Sequence, residues 1–161
     1  MPATKRLEVT LEAIQASQTK SIVFVPFKSS IGHVLDYLRA NGITAEAISG
    51  DVAKADRDRI FSAFQKTEEP QVIVAIPSAM SHGLTLTAAS TIIWYAPVTS
   101  NETYEQANGR ITRPGQKYSQ LIINVEATPV ERKIYERLKN KQLIQGSLLT
   151  LVEDDTLTLG S

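Results

Sequence analysis

Glu102 to Gln116 reads ETYEQANGRITRPGQ, and its spacing sets how the rest of the chain is read. Gln106, Gly109, Arg110, Arg113, Gly115 and Gln116 form the pattern Q-x-x-G-R-x-x-R-x-G-Q. If the first part is helical, Gln106 and Arg110 lie four apart and Arg110 and Arg113 three apart, on one face. Pro114 and Gly115 then stop the helix and leave Arg113 at its end. Two guanidinium groups facing a common point suit a polyphosphate, because their planar forks match phosphate oxygens and never lose their protons.

Working outward, apolar β-rich runs flank this block. Thr91 to Tyr95 precedes it and Ser119 to Val125 follows it; upstream lie Ser21 to Val25, Ile43 to Ile48 and Gln71 to Ile76. Each reads as a strand. Amphipathic stretches alternate with them. Lys5 to Ser17 carries Leu7, Leu11 and Ile14 at helical spacing. A second helix presents Ile31, Val34, Leu35 and Leu38, with Ser29 or Ser30 as its cap and Gly42 available for a left-handed close. A third carries Ile60, Phe61 and Phe64. Thr128-Pro129-Val130-Glu131 reads as a capping box with proline at the first helical position. The helix it opens ends near Gly146. The short tail, 147–161, acidic at Glu153 to Asp155, is read as a flexible end of a single domain spanning 1–161.

Uniformly apolar strands alternating with helices imply an α/β domain of three layers. Its mostly parallel sheet would have five or six strands, with helices on both faces and right-handed crossovers. Functional residues are expected in the loops at the carboxyl ends of the strands.

Composition narrows the classes. The chain has 161 residues, 42% apolar and 21% charged, with 17 basic and 17 acidic side chains. A balance of zero means that contact with nucleic acid must be local. Without cysteine there is no disulfide, thiol catalysis or cysteine-ligated metal. His33 and His82 are too far apart in sequence to suggest a zinc pair, and no metal ligands are assigned. No apolar run reaches membrane-spanning length and no signal-peptide core is present, so an intracellular, cytoplasmic location without membrane partners is expected.

The 102–116 block resembles motif VI of superfamily 2 helicases and translocases, most closely their Snf2-like branch in its phage and prophage form. The resemblance covers about Ser21 to Leu143 and implies a RecA-like domain, the second of the two in a helicase motor. In that family, motif VI arginines reach across a cleft to ATP on a sister domain. By resemblance Arg110 and Arg113 are phosphate-facing and catalytic, one as the arginine finger, while Gln106 positions the pair or the attacking water. IPSAMSHGLTLTAAS resembles motif V: Ala79, Gly83, Leu84 and Leu86 match, Met80 and Ser81 replace a glycine pair, and Thr85 stands where asparagine is usual. The resemblance places Gly83 and Thr85 beside the nucleotide and Ser78 at a nucleic-acid phosphate.

Two further loops join the set. Phe27, Lys28 and Ser29 follow the first strand, where the resemblance puts a motif touching the nucleic-acid backbone. Lys28 and Ser29 supply a cation and a hydroxyl there. Ser49, Gly50 and Asp51 follow the second strand, and Gly50 would either adopt an unusual dihedral or let a phosphate approach. Arg57 is read as pairing with Asp56 or another helix acid, and Trp94 and Tyr95 as packing residues. No G-x-x-x-x-G-K-[ST] occurs, so no P-loop, and no Walker B box appears. ATP and Mg²⁺ would be held mainly by an N-terminal RecA-like domain, and the substrate would be nucleic acid, with DNA favoured over RNA. The alternative is a stand-alone, non-catalytic RecA-like module binding nucleic acid or protein. A DEAD-box assignment is disfavoured by Gly115-Gln116 after the second arginine.

Overall fold

The computed structural model describes residues 3–17, 19–80, 88–98, 101–108, 121–126 and 129–139. Five strands form one sheet: β1 (Lys20–Phe24), β2 (Ala45–Ile48), β3 (Val72–Ala75), β4 (Ala89–Trp94) and β5 (Leu121–Asn124). Their order is β2-β3-β1-β4-β5, and every pair is parallel. The helices are α1 (Ala3–Ala16), α2 (Lys28–Ala40), α3 (Lys54–Lys66) and α4 (Asn101–Asn108), and residues 129–139, here α5, are also helical.

Strand direction decides which face each helix covers. The path from β1 to β2 runs one way along the sheet; those from β2 to β3, β3 to β4 and β4 to β5 run the other way. Right-handed crossovers then put α2 on one face and α3 and α4 on the opposite face. The two apolar layers follow this rule. One joins Ile14 of α1 and Ile31, Val34 and Leu38 of α2 to Val23, Val74 and Ile93. The other joins Ile60 and Phe64 of α3, Tyr104 of α4, and Tyr135 and Leu138 of α5 to Ile22, Phe24, Ile73 and Trp94. Alternate residues of one strand thus feed opposite layers, as period-two geometry requires.

The three-layer α/β fold read from the sequence is present. Strand ends shift by one or two residues, the ordinary uncertainty of a boundary. Two local expectations are corrected. Neither Ser29 nor Ser30 caps α2; the N-cap is Phe27, with φ −124°, ψ 136° and no side-chain cap bond. The helix starts earlier than expected, so both serines fall inside its first turn. Arg57 does not pair with Asp56, which instead faces Arg59 at 4.0 Å. Neighbours on a helix point about 100° apart, whereas residues three apart share a face. Gly42 does adopt the left-handed conformation, φ 82°, where α2 ends. The 128 cap and the 147–161 tail lie outside the described residues. Among the described residues no helix is long and apolar enough to cross a membrane.

Candidate nucleic-acid and motor interface

Three loops converge at the carboxyl end of the sheet because β3 lies between β1 and β2. Backbone bonds continue past the strands and fix where each loop departs: Val25 N–H donates to Ala75 O at 2.9 Å, and Ile76 N–H to Ile48 O at 3.1 Å. From β1 the chain enters α2 through Phe27, Lys28 and Ser29. From β2 it turns at Ser49–Asp51, closed by Val52 N–H donating to Ser49 O at 3.1 Å. From β3 it enters a short 3-10 turn, Pro77–Met80, which contains Ser78.

The sequence-predicted residues of these loops share one end of the molecule. Lys28, Ser29, Gly50 and Ser78 are exposed. Ser49 is buried at 9% and forms the floor. Lys28 reaches over the end of β3 and pairs with Asp51, tying the first loop to the second. Sequence spacing could not show that pair, because its members are joined through the sheet. Gly50 does not adopt the unusual dihedral that was one of its two expected roles. Positive φ among the described glycines occurs at Gly42, not Gly50, and a Cβ built on Gly50 would meet nothing within 4 Å. Open space beside its backbone is what it offers.

Gln106 sits on the exposed side of α4, where its Nε2 donates to Glu102 Oε1 at 3.2 Å, an i,i+4 bond. The opposite side of α4 buries Tyr104 and Ala107. Trp94 anchors that packing: its ring lies 4.9 Å from those of Phe24 and Tyr104, and its Nε1 donates to Asn108 Oδ1 at 2.8 Å. It is a core residue, as read. The assignments to Gly83, Thr85, Arg110 and Arg113 lie outside the described residues, as does His82. Among the described residues there is no group of three or more acids or histidines that could hold a metal ion.

A second polar constellation escaped the sequence reading. Arg6 of α1 donates to both carboxylate oxygens of Glu131 in α5, at 3.0 and 2.8 Å, and to Tyr95 O at 2.7 Å. Its guanidinium also lies 5.3 Å from the Tyr95 ring centroid. The bond from Glu131 raises the Arg6 pKa against the opposing effect of burial. Beside this clamp, Tyr135 donates toward Trp94 O at 3.2 Å and Val125 O at 3.0 Å. Burial holds its phenol far above the ordinary value, with the Glu131 carboxylate adding to the effect. The clamp spans 125 residues of sequence, so only the fold brings it together. Lys20 is similar: its ammonium caps the end of α3 at Phe64 O, 2.7 Å away.

Comparison with known proteins accords with this architecture. Residues 5–115 match the family model described as helicase conserved C-terminal domain. An uncharacterized ATP-dependent helicase of Mycoplasma pneumoniae is 30% identical over 149 residues, covering 92% of this chain and 14% of the relative. DNA repair protein RAD5B of Arabidopsis thaliana is 30% identical over 142 residues, covering 86% and 11%. The chain therefore spans a small fraction of the length of these relatives. Among solved structures, the C-terminal part of the Fun30 ATPase domain superposes with a TM-score of 0.74 at 20% identity, covering 83% of this chain and 44% of that one.

Proposed function

The chain belongs to the helicase conserved C-terminal domain family, as the RecA-like C-terminal domain of a Snf2-like superfamily 2 helicase, and we propose that it is the second motor domain of a nucleic-acid-dependent ATPase. The observation that carries this reading is the family match over residues 5–115, which spans the loops at the sheet end and both motif VI arginines. Arg110 and Arg113 act on ATP bound by a separate N-terminal lobe, which also holds the Mg²⁺. Guanidinium charge there would stabilise the transferring phosphoryl group, a contribution of about 10³ to 10⁵ in rate. Gly83 and Thr85 belong to the loop that links the nucleotide to the nucleic acid.

Lys28, Ser29, Ser49, Gly50 and Ser78 grip one strand's backbone. Exposed hydroxyls at Ser29 and Ser78, a lysine and open glycine backbone suit phosphate oxygens and carry no base code, with Ser49 buried beneath them. The DNA repair role in the name of one relative favours DNA over RNA, and an intracellular setting goes with it. ATP binding drives cleft closure, and alternating closure with release advances the motor.

The test is kinetic. In the protein joining this domain to its ATP-binding lobe, Arg113→Ala should lower nucleic-acid-stimulated ATP turnover by about 10³-fold with unchanged melting. Near-normal turnover by a folded variant would remove Arg113 from the role.

A further inference from the structure

β2 ends the sheet on one side. It has β3 as one neighbour and, among the described residues, no strand on the other side. In a parallel ladder alternate residues turn their N–H and C=O groups to the same neighbour. Val72 N–H donates to Thr44 O at 3.1 Å, and Ile76 N–H to Ile48 O at 3.1 Å. Thr44, Glu46 and Ile48 therefore face β3, and Ala45 and Ala47 turn their backbone groups outward. An edge of this kind is a template for a strand from another chain. There is room for one: a cleft of about 520 Å³ opens beside the edge. Ile43, Ala45, Glu46, Arg59 and Pro70 are among its lining residues, all of which fall between 39 and 70, a stretch described without a gap.

Arg39 closes this edge. It stands in the last turn of α2, and Gly42, at φ 82°, folds the chain back toward β2. Its Nε and Nη2 both donate to Ala45 O, at 3.2 and 2.9 Å. Nη2 also lies 3.7 Å from Glu46 Oε1. Ala45 packs in the layer under α2 and Ile48 in the opposite layer. Glu46, two residues before Ile48, leaves the strand on the side of Ile48. The guanidinium therefore spans the rim from the α2 face to a carboxylate of the other face, and takes the first outward carbonyl on its way.

Glu46 is a second barrier, directed at a second copy of this chain. Two β2 strands can pair antiparallel about a two-fold axis, the usual symmetry of such a contact. The register that joins Ala45 of each copy to Ala47 of the other uses the outward groups of both residues. It also sets the two Glu46 side chains directly opposite each other. Like charges in that position destabilise a strand pair.

We propose that Arg39 and Glu46 form a latch that keeps β2 from pairing with β2 of a second copy. Arg39 occupies the carbonyl that the incoming strand needs, and Glu46 makes the fullest register repulsive. The latch belongs to the edge of the sheet and does not depend on the motor reading.

Sedimentation velocity of the 161-residue chain over a range of concentrations tests it, with thermal melting to show that each variant is folded. The two side chains are 50% and 40% exposed, so Arg39→Ala/Glu46→Ala should leave the core intact. This double variant should self-associate about 10-fold more tightly than the unmodified chain, and Arg39→Ala alone by a smaller factor. Adding Ala47→Pro should return the double variant to the behaviour of the unmodified chain, because proline removes an outward N–H and leaves the β3 ladder in place. If the alanine pair melts early, Arg39→Met/Glu46→Gln keeps the side-chain stems and should associate in the same way. A folded double variant that associates no more than the unmodified chain would overturn the latch. Association that persists after Ala47→Pro would overturn it too, since the contact would then lie elsewhere.

Discussion

Two ion pairs of the same chemistry lie at the carboxyl end of this sheet, in opposite circumstances. Arg6–Glu131 joins α1 to α5, with side chains only 13% and 20% exposed. Lys28–Asp51 joins the loops after β1 and β2, with side chains 68% and 66% exposed. The first is multiply hydrogen-bonded, draws in a backbone carbonyl and stands over an aromatic ring. The second is a single contact in water. A shielded pair is costly to break, because the surviving charge is left without solvent or partner. A solvated pair exchanges readily with other ions. The comparison teaches that exposure, more than charge, separates the groups that hold this domain together from those available to a ligand.

The largest expected effect lies at the clamp. Glu131→Gln should destabilise the fold by about 2 kcal/mol, since Arg6 loses its charged acceptor in a mostly buried setting. Chemical denaturation of the variant checks it, and a loss below about 0.5 kcal/mol would erase the contrast. Lys28→Ala should behave in the opposite way. Stability should stay within about 0.5 kcal/mol, while nucleic-acid affinity falls and the slope of log affinity against log salt drops by roughly 1. A Lys28 variant that melts early and binds normally would invert the comparison.

A smaller effect follows from Tyr135 beside the clamp. Its folded pKa is raised above the ordinary value of 10.0, chiefly by burial. A raised pKa means that the unfolded chain loses its proton first. This contribution to stability is therefore complete below about pH 10 and is lost as pH climbs above it. Denaturation at rising alkaline pH should show the decline, and Tyr135→Phe should flatten it; an unchanged slope in that variant would assign the effect elsewhere.

Much of the fold was legible because its signals are local. Val72–Ala75 and Ala89–Trp94 are continuous buried runs, and a parallel sheet covered on both faces demands such runs. Gly42 is legible for the same reason: a helix end needing positive φ favours glycine. The position of α2's cap was misread because Ser29 and Ser30 satisfy the usual preference, yet the helix begins with Phe27 at its cap. Of the candidate site, residues near strand ends could be named from the alternation alone. Their partners could not. Asp51 meets Lys28 through the order of strands, and Glu131 meets Arg6 because α5 returns to α1 across the end of β4. Neither meeting is written in any window of sequence. The distinction between Ser49, buried in the floor, and exposed Gly50 likewise depends on how the turn sits against β3.

ATP hydrolysis by the purified 161-residue chain, with Mg²⁺ and single-stranded DNA in excess, tests most directly the claim that its arginines serve a triphosphate held by another lobe. The account predicts no turnover above the buffer rate, since the chain carries no P-loop or Walker B box. Sustained, metal-dependent turnover by this chain alone would contradict it.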